Sequence, residues 1–240
     1  MRRSFFVTGT DTGVGKTLVT AALLRRLRES GVTVAGMKPV AAGARAGPEG
    51  PANDDALLLQ AESTVRHPYA TVNPFLFEPA IAPHIAAAEA GVVIDTVVIA
   101  AAHARLAARA DVVLAEGAGG FLVPLDAHRS CAEIPALLGM DVILVVGLRL
   151  GCLNHALLTS EAIAARGLAL AGWVGNHVDP GFARFDANVA TLEARIPAPC
   201  LGIVPHMARP DVAAAAAALS GAARLSRIPL AEKEKSGLRP

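Results

Sequence analysis

Along this chain short, wholly apolar runs alternate with longer stretches in which apolar residues recur at helical spacing. Arg3–Val7 reads as a first strand, and Thr17–Glu29 as a helix carrying Leu18, Ala21, Ala22, Leu24 and Leu27, which the Ser30-Gly31 pair stops. A strand at Thr33–Pro39 and a short helix at Asp54–Glu62 come next. Asn73-Pro74 and Ala82-Pro83 then punctuate a loop-rich stretch before a helix near His84–Ala90. The pattern continues as helix Thr96–Ala108, strand Val112–Glu116, strand Val142–Val146, helix His155–Ala165 and strand Leu170–Gly175. Helix Phe182–Ile196, strand Leu201–Pro205 and an alanine-rich helix Asp211–Leu225 complete it. Strands alternating with helices predict an α/β fold, a mostly parallel sheet with helices on both faces. Without a repeat or a linker, one domain is expected over 1–225 and a frayed, charged tail over 226–240.

Composition narrows the class. The 240 residues are 53% hydrophobic with a formal net charge of +1, enough for a full α/β core and lacking the basic stripe that nucleic acid requires. The apolar stretches are broken by Arg, His, Glu or Asp short of a membrane span, so no membrane partner is expected. Met1-Arg2-Arg3-Ser4 runs straight into a strand and a glycine loop without a cleavage site, and a cytoplasmic protein is expected. Cys131, Cys152 and Cys200 are odd in number and widely spaced, which reads as buried thiols in a reducing compartment.

The candidate chemistry lies where strands end, because ligands of open α/β sheets bind beyond the carboxyl ends of the strands. After the first strand comes Gly9-Thr10-Asp11-Thr12-Gly13-Val14-Gly15-Lys16-Thr17, opening a helix. Backbone N–H groups curling around an anion, a lysine reaching the β/γ-phosphates and a threonine hydroxyl for Mg²⁺ make this a phosphate loop of the P-loop NTPase kind, with ATP the expected nucleotide. The first glycine of the usual G-x-x-x-x-G-K-[ST] spacing belongs at position 10 and stands instead at Gly9. Lys38 follows the second strand, Asn176 follows the Leu170–Gly175 strand, and Glu116 precedes Gly117-Ala118-Gly119-Gly120. With Thr17 and an acid of Asn53-Asp54-Asp55, Glu116 makes an oxygen-rich set suited to a hard cation.

Taken with Gly36-Met37-Lys38-Pro39-Val40, Asn53-Asp54-Asp55-Ala56-Leu57, Pro83-His84, Gly151-Cys152-Leu153-Asn154-His155 and Gly172-Trp173-Val174-Gly175-Asn176, these motifs closely resemble those of the dethiobiotin synthetases. The resemblance runs from about Phe5 to about Leu219. It implies a cyclo-ligase that makes a ureido ring from 7,8-diaminononanoate, CO₂ and ATP through a carbamate and a carbamic–phosphoric anhydride. It further implies that Lys16 and Lys38 serve catalysis and that Thr17, Asp55 and Glu116 ligate Mg²⁺. Thr12, Gly13, Val14, Gly15, Leu18, Gly117, Ala118, Gly119, Asn176, His177, Pro205, His206 and Met207 would complete the nucleotide site. Lys38, Ala42 and the turn Gly151, Cys152, Leu153 and Asn154 would meet the substrate, the turn coming from the neighbouring subunit of a homodimer.

Two positions depart from the family pattern. Ala42 lacks the hydroxyl some members carry near this point, and Gly13 stands where some carry an acid. The alternative reading is a nucleotide-driven switch of the partitioning or cell-division kind. Such proteins carry a signature lysine early in the loop, where this chain has Asp11.

Overall fold

A computed structural model describes residues 3–47 and 50–226. In chain order the elements are β1 (Arg3–Gly9), α1 (Lys16–Glu29), β2 (Val34–Met37), β3 (Val40–Ala42), β4 (Arg45–Gly47), β5 (Gly50–Ala52), α2 (Asp54–Glu62), α3 (Tyr69–Val72), β6 (Phe75–Phe77), α4 (Pro83–Glu89) and α5 (Thr96–Ala107). They continue as β7 (Val112–Gly120), α6 (Glu133–Leu138), β8 (Asp141–Gly147), α7 (Cys152–Ala164), β9 (Leu170–Asn176), α8 (Phe185–Arg195), β10 (Cys200–Val204) and α9 (Val212–Ala218), before a 3₁₀ turn over Ser220–Ser226.

Six strands pair in parallel in the order β10-β9-β8-β1-β7-β2. Central strands covered on both faces need apolar residues at every position, which is why Phe5, Phe6 and Val7 are all buried. Alternate side chains sort them: Phe5, Val7, Ile143 and Val145 pack with α1 and α9, whereas Phe6, Val113 and Ala115 pack with α4, α5 and α6. Leu144, Val146 and Trp173 face α7 and α8. No described helix is long and apolar enough to cross a membrane.

Three expectations are corrected. The stretch between α1 and α5 holds two small two-stranded sheets, parallel β3-β6 and antiparallel β4-β5, whose three-residue strands are too short to carry a period. The helix expected over Asp211–Leu225 ends at Ala218, because Ser220-Gly221 passes against β10; a Cβ at Gly221 would lie 2.8 Å from Leu201 Cα. Helix α7 begins at Cys152 rather than His155, behind the left-handed Gly151 (φ 93°). The expected tail over 226–240 lies outside the described residues after Ser226.

Candidate active site

The phosphate loop joins β1 to α1, and two close approaches fix its shape. A Cβ at position 9 would lie 2.7 Å from Val14 Cγ2 and 3.1 Å from Lys16 Cδ, so the displaced glycine at Gly9 is the one the packing requires. Gly15 caps α1 in the left-handed region (φ 83°), and a Cβ there would meet Asn176 Nδ2 at 2.1 Å. That amide donates to Val14 O (2.9 Å), tying the end of β9 to the loop. Lys16 Nζ reaches back to Asp11 O (3.1 Å). Leu18, expected in the nucleotide site, is half-buried and packs against the core.

Adjacent strands β1, β7 and β2 carry the charged groups to one place. Glu116 pairs in register with Val7 in the middle of the sheet and is fully buried. Lys38 follows β2, its N–H donating to Val72 O (2.8 Å) and its carbonyl accepting from Asn73 Nδ2 (2.7 Å). Asp55 stands in the first turn of α2, whose N-cap Asn53 accepts from Ala56 N (3.3 Å). The Lys38 ammonium bridges the two carboxylates, 2.5 Å from Glu116 Oε1 and 3.0 Å from Asp55 Oδ2. Thr17 Oγ1 donates to the same Glu116 oxygen (2.9 Å), while Glu116 Oε2 is buried without a partner.

Burial works against charge on Lys38, but Glu116 and Asp55 outweigh it and hold its pKa above the ordinary lysine value. Lys16 goes the other way: burial dominates, with Lys38 adding repulsion, and its pKa is lowered. Asp55 is also held down, since the Lys38 charge overcomes the effect of its burial.

Beside these groups opens a cleft of about 490 Å³ lined by Thr12, Lys38, Asn53 and Asp55 together with Val40, Ala41, Ile81, Pro83 and Val123. Ala42, Ala118 and Gly119 also line it, and the Ala42 carbonyl accepts from Asn53 Nδ2 (3.2 Å). None of Gly151, Cys152, Leu153 and Asn154 does. That turn follows β8, on the opposite side of β1 from β7 and β2. His177, which follows β9, and His206, which follows β10, meet there with ring centroids 5.9 Å apart; His206 Nδ1 lies 3.3 Å from His177 O. Pro205 and His206 are exposed, and Met207 packs against the core.

Two contacts escaped the sequence. Arg149 pairs with Asp11 (2.6 Å), and Phe185 lies against His177 with centroids 4.4 Å apart. Arg149 was signalled by its place just after a strand, whereas nothing local links positions 177 and 185.

A family model described as an AAA domain matches residues 3–214. The ATP-dependent dethiobiotin synthetase BioD of Pseudomonas paraeruginosa is 53% identical over 217 residues, 90% of this chain and 95% of that protein. The chain belongs to the dethiobiotin synthetase family. The BioD of Ralstonia nicotianae is 52% identical over 227 residues, 95% of this chain and 99% of that protein. The septum site-determining protein MinD of Pyrococcus horikoshii, complexed with Mg-ADP, shares the fold at 17% identity, TM-score 0.59, covering 94% of this chain and 96% of that one. At that identity the likeness extends to the fold alone, and membership among the dethiobiotin synthetases favours the ligase over the switch. In this member of the family Asp11, where the switch proteins carry lysine, is spoken for by Arg149 and by Thr12 N (2.7 Å).

Proposed function

We propose that this chain is an ATP-dependent cyclo-ligase closing the ureido ring of dethiobiotin from 7,8-diaminononanoate and CO₂, with release of ADP and phosphate. The observation that carries the reading is the convergence of a phosphate loop, two buried lysines and two carboxylates beside a cleft that Thr12, Lys38 and Asp55 help to line. A long-chain diamine fits such a cleft by its two ends: methylenes along Val40, Ile81 and Val123, amines toward Lys38, Asn53 and Asp55.

One amine takes up CO₂ to give a carbamate and a proton. A carbamate oxygen attacks the γ-phosphorus, the bond to the β-phosphate oxygen breaks, and ADP leaves. The second amine then attacks the carbamoyl carbon, the C–O bond to phosphate breaks, and the ring closes. None of these steps needs a covalent nucleophile from the protein, so positioning and charge neutralisation carry the rate. Lys16 is assigned to the β- and γ-phosphates, and Lys38 to the carbamate and the moving phosphoryl oxygens. Thr12 and the Gly117–Gly119 backbone flank the reacting groups, while Asn176, His177 and the 205–207 segment border the base. The test is incubation of the purified protein with diaminononanoate, bicarbonate, Mg²⁺ and ATP. Dethiobiotin detected by mass spectrometry is the expected result, and ATP loss independent of the diamine would favour the switch.

Mg²⁺ fits the residues present. Thr17, Asp55 and Glu116 offer only oxygen, and Glu116 Oε2 is a buried acceptor with nothing to accept from. No group of three His, Cys, Asp or Glu able to hold a metal occurs among the described residues, so the Thr17 hydroxyl and the nucleotide's own oxygens are needed to complete the shell. When bound, the ion would neutralise charge on the β- and γ-phosphates. Glu116→Gln removes a charge at nearly constant volume. It is expected to raise the Mg²⁺ concentration for half-maximal turnover about 10-fold or more while metal-free nucleotide binding changes little. An unchanged Mg²⁺ dependence assigns Glu116 to structure.

The homodimer belongs to the same proposal. The separation of the 151–154 turn from the cleft within one subunit supports a site completed by a partner. Leu150, 91% exposed beside that turn, and exposed Leu122 beyond Gly120 give the rim an apolar surface to cover. The three free cysteines fit a cytoplasmic location.

A further inference from the structure

We propose that the Lys38 ammonium is an internal stand-in for the divalent cation, held between Glu116 and Asp55 until the metal arrives with the nucleotide, and displaced by it into the substrate cleft. The inference rests on the assignment of Thr17, Asp55 and Glu116 as the metal's ligands.

The geometry is that of a cation site already filled by a cation. Glu116 is fully buried and cannot be left as a lone charge, and Lys38, 5% exposed, touches both carboxylates that the metal would use. Thr17 Oγ1 converges on the same Glu116 oxygen. The bare carboxylate pair therefore holds an ammonium and a hydroxyl on one side, while Glu116 Oε2 goes without a partner. An ammonium has three donors, and two suffice for this arrangement, so the buried acceptor remains for an ion of higher coordination number.

A divalent ion on those oxygens and an ammonium in contact with them are like charges within a few ångströms, around a Glu116 carboxylate that is fully buried. Both cannot stay. The ammonium is the one free to move, because it ends a flexible four-carbon stem whose backbone is fixed at both sides by Val72 and Asn73. Lys38 already lines the cleft with Thr12 and Ala118, so the displaced charge has a place to go where a carbamate would attract it. Two consequences follow. Without nucleotide the protein binds free divalent ions poorly, because an ion must evict a paired lysine. With the metal nucleotide bound, Lys38 is delivered to the reacting end, so its charge reaches the substrate only when the phosphoryl donor is in place.

The test is Mn²⁺ binding to the full chain without nucleotide, followed by the electron paramagnetic resonance of free Mn²⁺. Lys38→Met is expected to bind Mn²⁺ roughly 10-fold or more tightly than the wild type, since the competing charge is gone. Lys38→Arg should stay as weak as the wild type, and Lys38→Met with Glu116→Gln should lose the gain. Equal or weaker Mn²⁺ affinity in a folded Lys38→Met protein overturns the proposal. Glu116→Gln measured with a non-hydrolysable ATP analogue separates the two layers: unchanged Mn²⁺ affinity there removes the metal site itself, and this inference with it. Weakened affinity there, beside a Lys38→Met protein that gains nothing, refutes the displacement alone. Should Lys38→Met not fold, lysine side-chain NMR of the wild type decides, with the Lys38 signal assigned by its absence from Lys38→Arg. The signal is expected to shift with Mg²⁺ and analogue together and to stay in place with analogue alone; the same position in both overturns the proposal.

Discussion

Lys38→Gln is expected to lower kcat by about 10²-fold or more while raising the KM for ATP far less. The asymmetry follows from where the charge acts. Negative charge on the carbamate and the transferring phosphoryl group is greatest in the transition state, so an ammonium against those oxygens contributes most there and little to ground-state nucleotide binding. Glutamine keeps a polar, unbranched side chain and loses the charge. A solvated lysine at a strand end would behave otherwise, but Lys38 is buried between two carboxylates, and removing one partner of such a pair typically costs about 3–5 kcal/mol of stability. The measurement therefore includes thermal melting with Mg²⁺ and nucleotide present, which separates slow catalysis from a smaller folded fraction. Near-normal kcat in the folded variant would leave Lys16 and the metal to carry the electrostatic work alone.

Why Lys38 could be picked out of the sequence while its surroundings could not is a matter of range. The strand-then-charge pattern places Lys38, Glu116 and Asn176 at the carboxyl edge because a parallel sheet must end its strands there. The central strands and most helices were readable for the same reason: buried strands are short apolar runs and their covering helices carry one apolar face. Partnerships across the sheet are another matter. That Lys38 would touch both Glu116 and Asp55 depends on β2 lying beside β7 and on α2 folding back over β2, neither of which leaves a mark in local spacing. The Arg149–Asp11 pair spans 138 positions and exists because β8 neighbours β1. The small strands β3 to β6 were missed because three residues cannot show a period, and Asn73, read only as loop punctuation, turns out to hold the Lys38 carbonyl. The end of α9 was misplaced because alanine favours helix at every position through 218, and only contact of Gly221 with Leu201 ends it.

Mixing two inactive chains is expected to restore activity if the site is shared between subunits. One chain carries Lys38→Ala, which empties the cleft of its ammonium; the other has its 151–154 turn disrupted. Helix α7 opens at Cys152 behind the left-handed Gly151, and the positive end of its dipole suits a carboxylate. Within one subunit that turn does not line the cleft, since the phosphate loop on β1 lies between them. A substrate whose amines lie at Lys38 would then send its carboxylate tail toward a turn supplied by the partner. In a mixed dimer one of the two sites joins an intact Lys38 to an intact turn, while the other carries both defects. Random exchange of equal amounts makes about half the dimers mixed, each with one good site, so activity should recover to roughly a quarter of the wild type. Subunit exchange is verified by mass spectrometry of differently tagged chains. Exchange without recovery would mean that each subunit works alone, with the turn serving only to start α7.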